Sequence, residues 1–202
     1  MRPEVGVSPG TVPVYYGGGK LKAVERRMKV AEVVLRCLSC AFGVIAAALV
    51  GSDTQVREFF SVEKKAKFTD MKALVFLVVA NGIAAGYSLL MVVRSVVSMM
   101  KGSVLLNKAL AWAIFSCDQV MAYLTLAAVA AAAQAAELSE FGQSELQWMK
   151  VCNLYHKFCN QSGGGLVSAF LGSLCMVAVS SMSAFGLFRL YGKNKGKSSG
   201  NL

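Results

Sequence analysis

Four long apolar segments, separated by polar connections, dominate the pattern of residues along this 202-residue chain. They cover about residues 30–50, 73–97, 109–133 and 166–190. Each has at least about 20 residues, the length that an α-helix needs to cross roughly 30 Å of hydrocarbon at about 1.5 Å per residue. The pattern predicts an all-α fold, a bundle of four transmembrane helices.

The polar parts of the chain divide into two tails and short connections. Residues 1–28 hold all three prolines and a run of glycines, and we expect a flexible basic tail there. Residues 29–190 form the membrane domain, with outer loops at 52–72 and 134–165, and residues 191–202 form a second tail. These connections are too short to hold a second folded domain.

The formal net charge of +10 invites a nucleic-acid partner, but the distribution of the charges favours a membrane partner. If the four segments alternate across the bilayer, most Lys and Arg residues lie on the side of the two tails. This positive-inside bias predicts that both termini are cytoplasmic. We therefore expect the basic segments to meet anionic membrane lipid, and no nucleic acid. No cleavable signal sequence precedes the first span, so that span is expected to direct insertion.

Two of the spans contain a charged residue, Arg36 in the first and Asp118 in the third. Counted from the start of each span, Arg36 lies about 9 Å deep and Asp118 about 14 Å deep, a difference that an Arg side chain can bridge. Glu32, one turn before Arg36, is a further candidate partner. We predict an intramembrane ion pair that fixes helix packing, with a proton or ion relay as the alternative.

Small residues recur at helical spacing within the spans. Gly82 and Gly86 form a G-x-x-x-G motif in the second span. Such spacing lets helix backbones approach closely where dispersion drives association in lipid. The motif predicts a helix-packing face, either inside the bundle or between copies of the chain.

The second outer loop carries two cysteines, and the other four cysteines fall within the spans. Cys152 and Cys159 lie seven residues apart, and a loop outside the cytoplasm faces an oxidising compartment. We predict a disulfide between them, with free thiols as the alternative. His156 is the only histidine of the chain, too few for a metal site, and is expected to be a solvated loop residue.

The same loop holds a glycosylation sequon that begins at Asn160. It lies only about six residues before the fourth span, close to the bilayer surface, so we expect Asn160 to be unmodified. Trp148, Tyr155 and Phe158 make this loop aromatic, and we expect them to anchor it at the membrane interface.

No catalytic motif stands out in the sequence. The chain has no nucleophile elbow, phosphate-binding glycine loop or metal-spaced set of His and Cys residues. Its polar segments are also too short to build a pocket. The sequence therefore predicts that the protein is not an enzyme and that it uses no cofactor.

The segments around the two charged residues carry a family resemblance. Residues 33–37 around Arg36, residues 115–124 around Asp118 and the loop cysteines resemble the plant CASP-like family. These proteins are relatives of the Casparian strip membrane domain proteins and are similar in topology to animal MARVEL proteins. The resemblance extends over about residues 25–190.

The resemblance implies a scaffold of the plasma membrane that forms homo- and hetero-oligomers. It also implies an immobile membrane domain that guides secreted enzymes acting on the adjoining cell wall. The first outer loop, residues 52–72, is Lys-rich and lacks the aromatic, acidic character of the true Casparian strip members. Endodermal localisation and lignin deposition therefore do not carry over. The alternatives are a small transporter or channel that uses Arg36 and Asp118, and a MARVEL-type vesicle-trafficking protein.

Overall fold

The computed structural model describes residues 18–59, 62–101, 108–142 and 150–198. Five helices and one β-hairpin make up these ranges. In chain order they are α1 (Gly18–Gly51), β1 (Thr54–Phe59), β2 (Val62–Lys67), α2 (Lys72–Lys101), α3 (Lys108–Phe141), α4 (Val151–Leu154) and α5 (His156–Ser198).

Four of these helices are long and apolar enough to cross a membrane. The apolar stretches are Arg26–Gly51 in α1, Lys72–Met100 in α2, Ala109–Phe141 in α3 and His156–Phe188 in α5. Helix formation is strongly favoured in α3, where residues 127–136 are nearly all alanine, the best helix former. The prediction of a four-helix transmembrane bundle is confirmed.

The helices follow the order α1, α2, α3, α5 around the bundle. Helix α1 packs against α2 and α5, and α3 packs against the same two helices. Helices α1 and α3 therefore lie diagonally across the bundle from each other. We call the end that holds the β-hairpin and α4 the hairpin end, and the end that holds Gly18 and Ser198 the tail end.

The apolar core fills the half of the bundle nearer the hairpin end. Its members come from all four long helices and from the segment that precedes α5. The cluster comprises Ala46, Val50, Leu74, Leu77, Ala80, Ala128, Val129, Ala132, Tyr155, Phe158 and Ala169. Five of these eleven residues are alanines, whose small side chains allow close approach of the helix backbones.

The helices extend beyond the predicted spans, and three boundaries are corrected. The prediction of a flexible tail over residues 1–28 is wrong from Gly18 onward, because α1 begins there. The outer loop predicted at 134–165 is mostly helical, since α3 continues to Phe141 and α5 begins at His156. The tail predicted at 191–202 is helical through Ser198. A helix is not limited by bilayer thickness, so hydropathy marks the apolar part of each helix and not its ends.

The first outer connection contains the β-hairpin, which the sequence analysis did not predict. Strands β1 and β2 pair antiparallel, with Thr54 opposite Lys67 and Phe59 opposite Val62. A short 3-10 turn over Phe68–Asp70 then leads into α2. The fold is therefore an all-α membrane bundle with a small two-stranded sheet at one end.

The residue that follows helix α3 is a glycine in the left-handed backbone conformation. Gly142 has a φ of 65°, and its N–H donates to the Leu138 carbonyl oxygen at 3.0 Å. Other residues adopt this conformation at a cost, so glycine is the usual residue at the position after a helix. The stop places the last turn of α3 at the hairpin end, beside the start of α5.

Candidate functional site

Arg36 and Asp118 meet in the interior of the bundle, across its diagonal. The Arg36 Nη1 and Nη2 atoms donate to the Asp118 Oδ1 and Oδ2 atoms at 2.9 and 2.8 Å. Both side chains are 0% exposed. This two-bond geometry is the strong form of a guanidinium–carboxylate contact, because two N–H groups of the planar guanidinium donate in parallel to the two oxygens of the carboxylate.

The other two long helices complete the polar cluster around Asp118. The Tyr87 hydroxyl of α2 donates to Asp118 Oδ1 at 2.7 Å, and the Ser183 hydroxyl of α5 donates to Asp118 Oδ2. The Tyr87 ring also lies against the guanidinium, with its centroid 5.8 Å from Arg36 Cζ, a cation–π distance. One carboxylate thus receives hydrogen bonds from α1, α2 and α5 while it sits on α3.

Glu32 binds the neighbouring edge of the guanidinium and shares the Nη2 atom with Asp118. Its Oε1 atom accepts from Arg36 Nε at 3.1 Å and from Arg36 Nη2 at 3.0 Å. The Glu32 side chain is 31% exposed, because it lies one turn nearer the tail end. Arg36 is therefore held between two carboxylates, one fully buried and one partly solvated.

The chemistry open to this cluster is limited by how completely it is paired. A carboxylate offers about four lone-pair positions, and Asp118 receives four hydrogen bonds. Among the described residues, no buried side-chain nitrogen or oxygen lacks a partner. Within the same ranges, no group of three or more His, Cys, Asp or Glu residues could hold a metal ion. The geometry suits a fixed structural tie between four helices.

Sequence reasoning identified Arg36, Asp118 and Glu32 but missed Tyr87 and Ser183. Tyr87 is the only tyrosine of the second span, a signal that could have been read as a polar partner. Ser183 is one of several serines in the fourth span, and nothing in the sequence separates it from the others. Which serine reaches the centre depends on how α5 is rotated about its axis.

A second polar cluster joins α1 to α5 at the hairpin end. The Gln161 side-chain amide donates to the Leu49 carbonyl oxygen at 2.9 Å, and the Ser162 hydroxyl donates to Asp53 Oδ2 at 3.0 Å. Asp53 is only 2% exposed. Burial raises the pKa of the Asp53 carboxyl, although the Ser162 hydrogen bond and the Lys157 charge act in the opposite direction.

The predicted disulfide between Cys152 and Cys159 is confirmed, with a Cα–Cα distance of 5.6 Å. It joins α4 to the first turn of α5. The aromatic residues of this loop do not behave as expected, because Tyr155 and Phe158 are buried in the apolar core. Their prediction as membrane-interface anchors is wrong, since both side chains are packed among apolar residues of the four long helices. Trp148 lies outside the described residues.

Two further polar residues of this loop, His156 and Asn160, are exposed. His156 is the first residue of α5 and Asn160 lies one turn later. Asn160 is therefore helical and does not lie in a loop. That it carries no glycan stays a prediction.

The G-x-x-x-G motif does not pack inside the bundle. A Cβ atom added at Gly82 or Gly86 would meet nothing within 4 Å, and both glycines are exposed. Close helix contacts are made instead by other glycines, since a Cβ at Gly43 would lie 3.2 Å from the Asn81 carbonyl oxygen and one at Gly165 would lie 2.5 Å from Val50 Cγ2. Packing within one chain is thus the wrong interpretation of the motif, and packing between copies stays a prediction.

Four spanning helices, joined at the centre by the Arg36–Asp118 pair and by hydrogen bonds from Tyr87 and Ser183, define a multi-pass membrane protein with a polar core. Residues 25–175 match the family model of the Casparian strip membrane protein domain, and the chain belongs to this family. It is 68% identical to the CASP-like protein 2B1 of Vitis vinifera over 196 residues, which is 97% of this chain and 96% of that protein.

Two further relatives show the same full-length similarity. The chain is 67% identical to the CASP-like protein 2B1 of Ricinus communis, over 96% of this chain and 95% of that protein. It is 57% identical to the CASP-like protein 2B2 of Arabidopsis thaliana, over 96% of each chain. The resemblance to the plant CASP-like family is thereby confirmed. No solved structure matches the chain.

Proposed function

We propose that this protein is a non-enzymatic scaffold of the plant plasma membrane. Copies of the chain, alone or with related family members, assemble laterally into a membrane domain. That domain guides secreted enzymes that modify the adjoining cell wall. The proposal is supported by membership of the Casparian strip membrane protein domain family and by CASP-like relatives that match over nearly the whole chain.

The observation that carries the proposal is a fully hydrogen-bonded polar cluster inside the bundle, combined with an exposed glycine face, Gly82 and Gly86, on its outside. The four long helices are tied to one another at Asp118, whose hydrogen-bonding positions are filled. Gly82 and Gly86 are left on the outside of α2, where no side chain of the described residues covers them. A rigid bundle with an uncovered small-residue face suits lateral association in lipid, where close backbone approach drives helix contact.

The charges and the disulfide support one orientation of the chain in the membrane. Arg26, Arg27 and Lys29 are exposed near the start of the first apolar stretch, at the tail end. The disulfide lies at the opposite end, and such bonds persist in oxidising compartments. Both features support cytoplasmic termini and a hairpin end that faces the cell wall.

The arrangement of the polar cluster does not favour transport. A transported cation or proton needs a free lone pair on the carboxylate, and the Tyr87 and Ser183 hydroxyls occupy the positions that Arg36 leaves. A vesicle-trafficking role of the MARVEL type would differ from the scaffold in residence and mobility, so the mobility experiment below separates the two.

The test is the lateral mobility of a fluorescently tagged full-length chain at the plasma membrane, measured by recovery after photobleaching. We expect slow recovery, in patches that exclude a freely diffusing membrane marker. Replacing both motif glycines by leucine (Gly82→Leu with Gly86→Leu) should speed recovery. Gly186→Leu is the matched control, because Gly186 is an exposed glycine of α5 whose added Cβ would also meet nothing.

Two results would count against the proposal at different levels. Fast and uniform recovery of the unmodified chain would overturn the scaffold itself. Slow recovery that the paired leucine substitution leaves unchanged would retain the scaffold and refute the role of the glycine face.

A further inference from the structure

A cleft of about 780 Å³ opens at the hairpin end, between α2, α3, α4 and α5. Volumes of 300–1,000 Å³ are typical of sites that bind a single small molecule. The polar cluster at Asp118 does not contribute to this cleft, and neither do the exposed glycines of α2. The cleft is therefore a separate feature.

The part of the cleft nearer the middle of the spanning helices is apolar. It is lined by Leu74 of α2, by Ala132, Ala135 and Ala136 of α3, and by Leu166 of α5. These residues belong to the apolar stretches of three spanning helices. This apolar part of the cleft can therefore bind a hydrocarbon chain, because the small alanine side chains leave space for one.

The polar rim of the cleft carries opposite charges on two different helices. Glu140 lies on the α3 wall and Lys157 on the α5 wall, and both are exposed. Among the ion pairs that the described residues form, none joins these two. Asn153 and Asn160 add uncharged hydrogen-bonding groups to the same rim.

The helix ends increase this separation of charge. Glu140 lies one residue before the end of α3, where unpaired carbonyl groups give the helix its negative pole. Lys157 is the second residue of α5, where unpaired N–H groups give the helix its positive pole. The rim thus has a region that favours an anion and a region that favours a cation.

We propose that this cleft binds one zwitterionic phospholipid from the leaflet at the hairpin end. The lipid phosphate lies at the start of α5 near Lys157, the ammonium group lies at the end of α3 near Glu140, and an acyl chain lies on the alanine surface. An anionic lipid would meet Glu140 unfavourably. A lipid without charges would offer no charged group to either Lys157 or Glu140.

Two adjacent glycines provide a matched pair of variants for the test. Gly163 lines the cleft, and a Cβ added there would meet nothing within 4 Å. Gly163→Leu should therefore begin in open space and extend a side chain into the cleft. Gly164 does not line the cleft, and an added Cβ would lie 3.9 Å from Leu49 Cδ1, an ordinary contact. Gly164→Leu makes the same change of residue one position away.

The experiment measures retained lipid on the purified full-length protein by native mass spectrometry. The protein is exchanged into mixtures of phosphatidylcholine, phosphatidylglycerol and diacylglycerol with matched acyl chains. We expect one retained phosphatidylcholine per chain, about tenfold less of it on Gly163→Leu, and wild-type retention on Gly164→Leu. Glu140→Lys should shift the preference toward phosphatidylglycerol by about tenfold, because it replaces an attraction to the ammonium group with a repulsion.

Several results would overturn the proposal. Equal retention of the three lipids by the wild type would show that the rim charges do not select a head group. Equal retention by the two leucine variants would place the lipid elsewhere. Loss of lipid from both variants would also contradict it, because Gly164 does not line the cleft. Thermal unfolding of each variant verifies that retention is compared between folded proteins.

Discussion

The ion pair at the centre of the bundle allows us to predict how much Asp118→Leu lowers the free energy of unfolding. This substitution leaves the Arg36 guanidinium in a fully buried position without the two hydrogen bonds that it donates at 2.8 and 2.9 Å. Removing one member of a buried pair costs about 3–5 kcal/mol, because the remaining charge stays out of water. The expected loss in the free energy of unfolding lies in this range.

Three neighbours modify that loss. The Tyr87 and Ser183 hydroxyls lose their common acceptor, and an unsatisfied buried donor costs about 1–3 kcal/mol. Glu32 acts in the opposite direction, because its carboxylate still accepts two hydrogen bonds from Arg36. Glu32→Gln by itself is the matched control. Its side chain is partly exposed, so the cost should stay below about 1 kcal/mol.

Removing both charges separates a structural tie from a functional relay. The double variant Arg36→Met with Asp118→Leu buries no unpaired charge, so it should be more stable than Asp118→Leu alone. A direct charge swap is a poorer test. Arg36→Asp would place a new carboxylate four residues from Glu32, where like charges repel, so Glu32→Gln has to accompany the swap.

The assay is unfolding of the purified full-length protein in detergent, followed by circular dichroism, together with surface delivery of the tagged chain. Asp118→Leu should unfold at lower denaturant and be delivered poorly, and the double variant should recover part of both. Wild-type stability and delivery of Asp118→Leu would refute the structural role. The single variant Arg36→Met completes the comparison. If the double variant loses as much free energy of unfolding as the two single variants together, Arg36 and Asp118 are not coupled.

Three further predictions concern the hairpin end. Gly165→Ala should cost about 1–3 kcal/mol in thermal unfolding, because its Cβ would lie 2.5 Å from Val50 Cγ2 in the core, whereas Gly164→Ala should not destabilise. Burial raises the pKa of Asp53 in the folded state above its value in the unfolded state, so the wild type loses stability as the pH rises from about 4 through the folded pKa. Asp53→Asn removes this ionisation. Its melting temperature should therefore vary less with pH over this range and should exceed that of the wild type at pH 7. An unchanged pH profile would contradict this. Replacing both cysteines of the disulfide by serine should cost roughly 2–3 kcal/mol in the same assay, and a variant that melts like the wild type would refute the contribution of the bond.

The parts of the fold that the sequence predicts are those governed by the length and polarity of single segments. Four apolar runs of about 20 residues require four helices in a bilayer, and charges within two of them require partners. Arg36 and Asp118 therefore could be identified from sequence as candidates for one ion pair, before the structure brought them together. Cys152 and Cys159 could be paired because their loop lies on the oxidising side in the predicted topology.

The parts that could not be predicted depend on helix rotation and on contacts between segments. The exposed position of Gly82 follows from the way α2 turns toward α1 and α3, and a spacing motif carries no information on that rotation. Tyr155 and Phe158 look amphipathic in sequence, but the packing of the segment around the start of α5 against the other helices buries both of them. The hairpin was missed because the pattern of residues 54–67, which mixes charges with few apolar residues, is also typical of a loop.

The position of Glu32 one turn before Arg36 has a consequence for the order in which the helices enter the membrane. During synthesis α1 inserts before α3 exists, so Arg36 enters the bilayer while Asp118 is still to be translated. Glu32 belongs to the same helix and accepts from the guanidinium through two hydrogen bonds, so it is available as soon as α1 forms. It lowers the cost of holding a cation in hydrocarbon until the third helix arrives, and Ser183 then closes the cluster when the last helix is made. Glu32 is therefore expected to matter more during insertion than in the finished bundle.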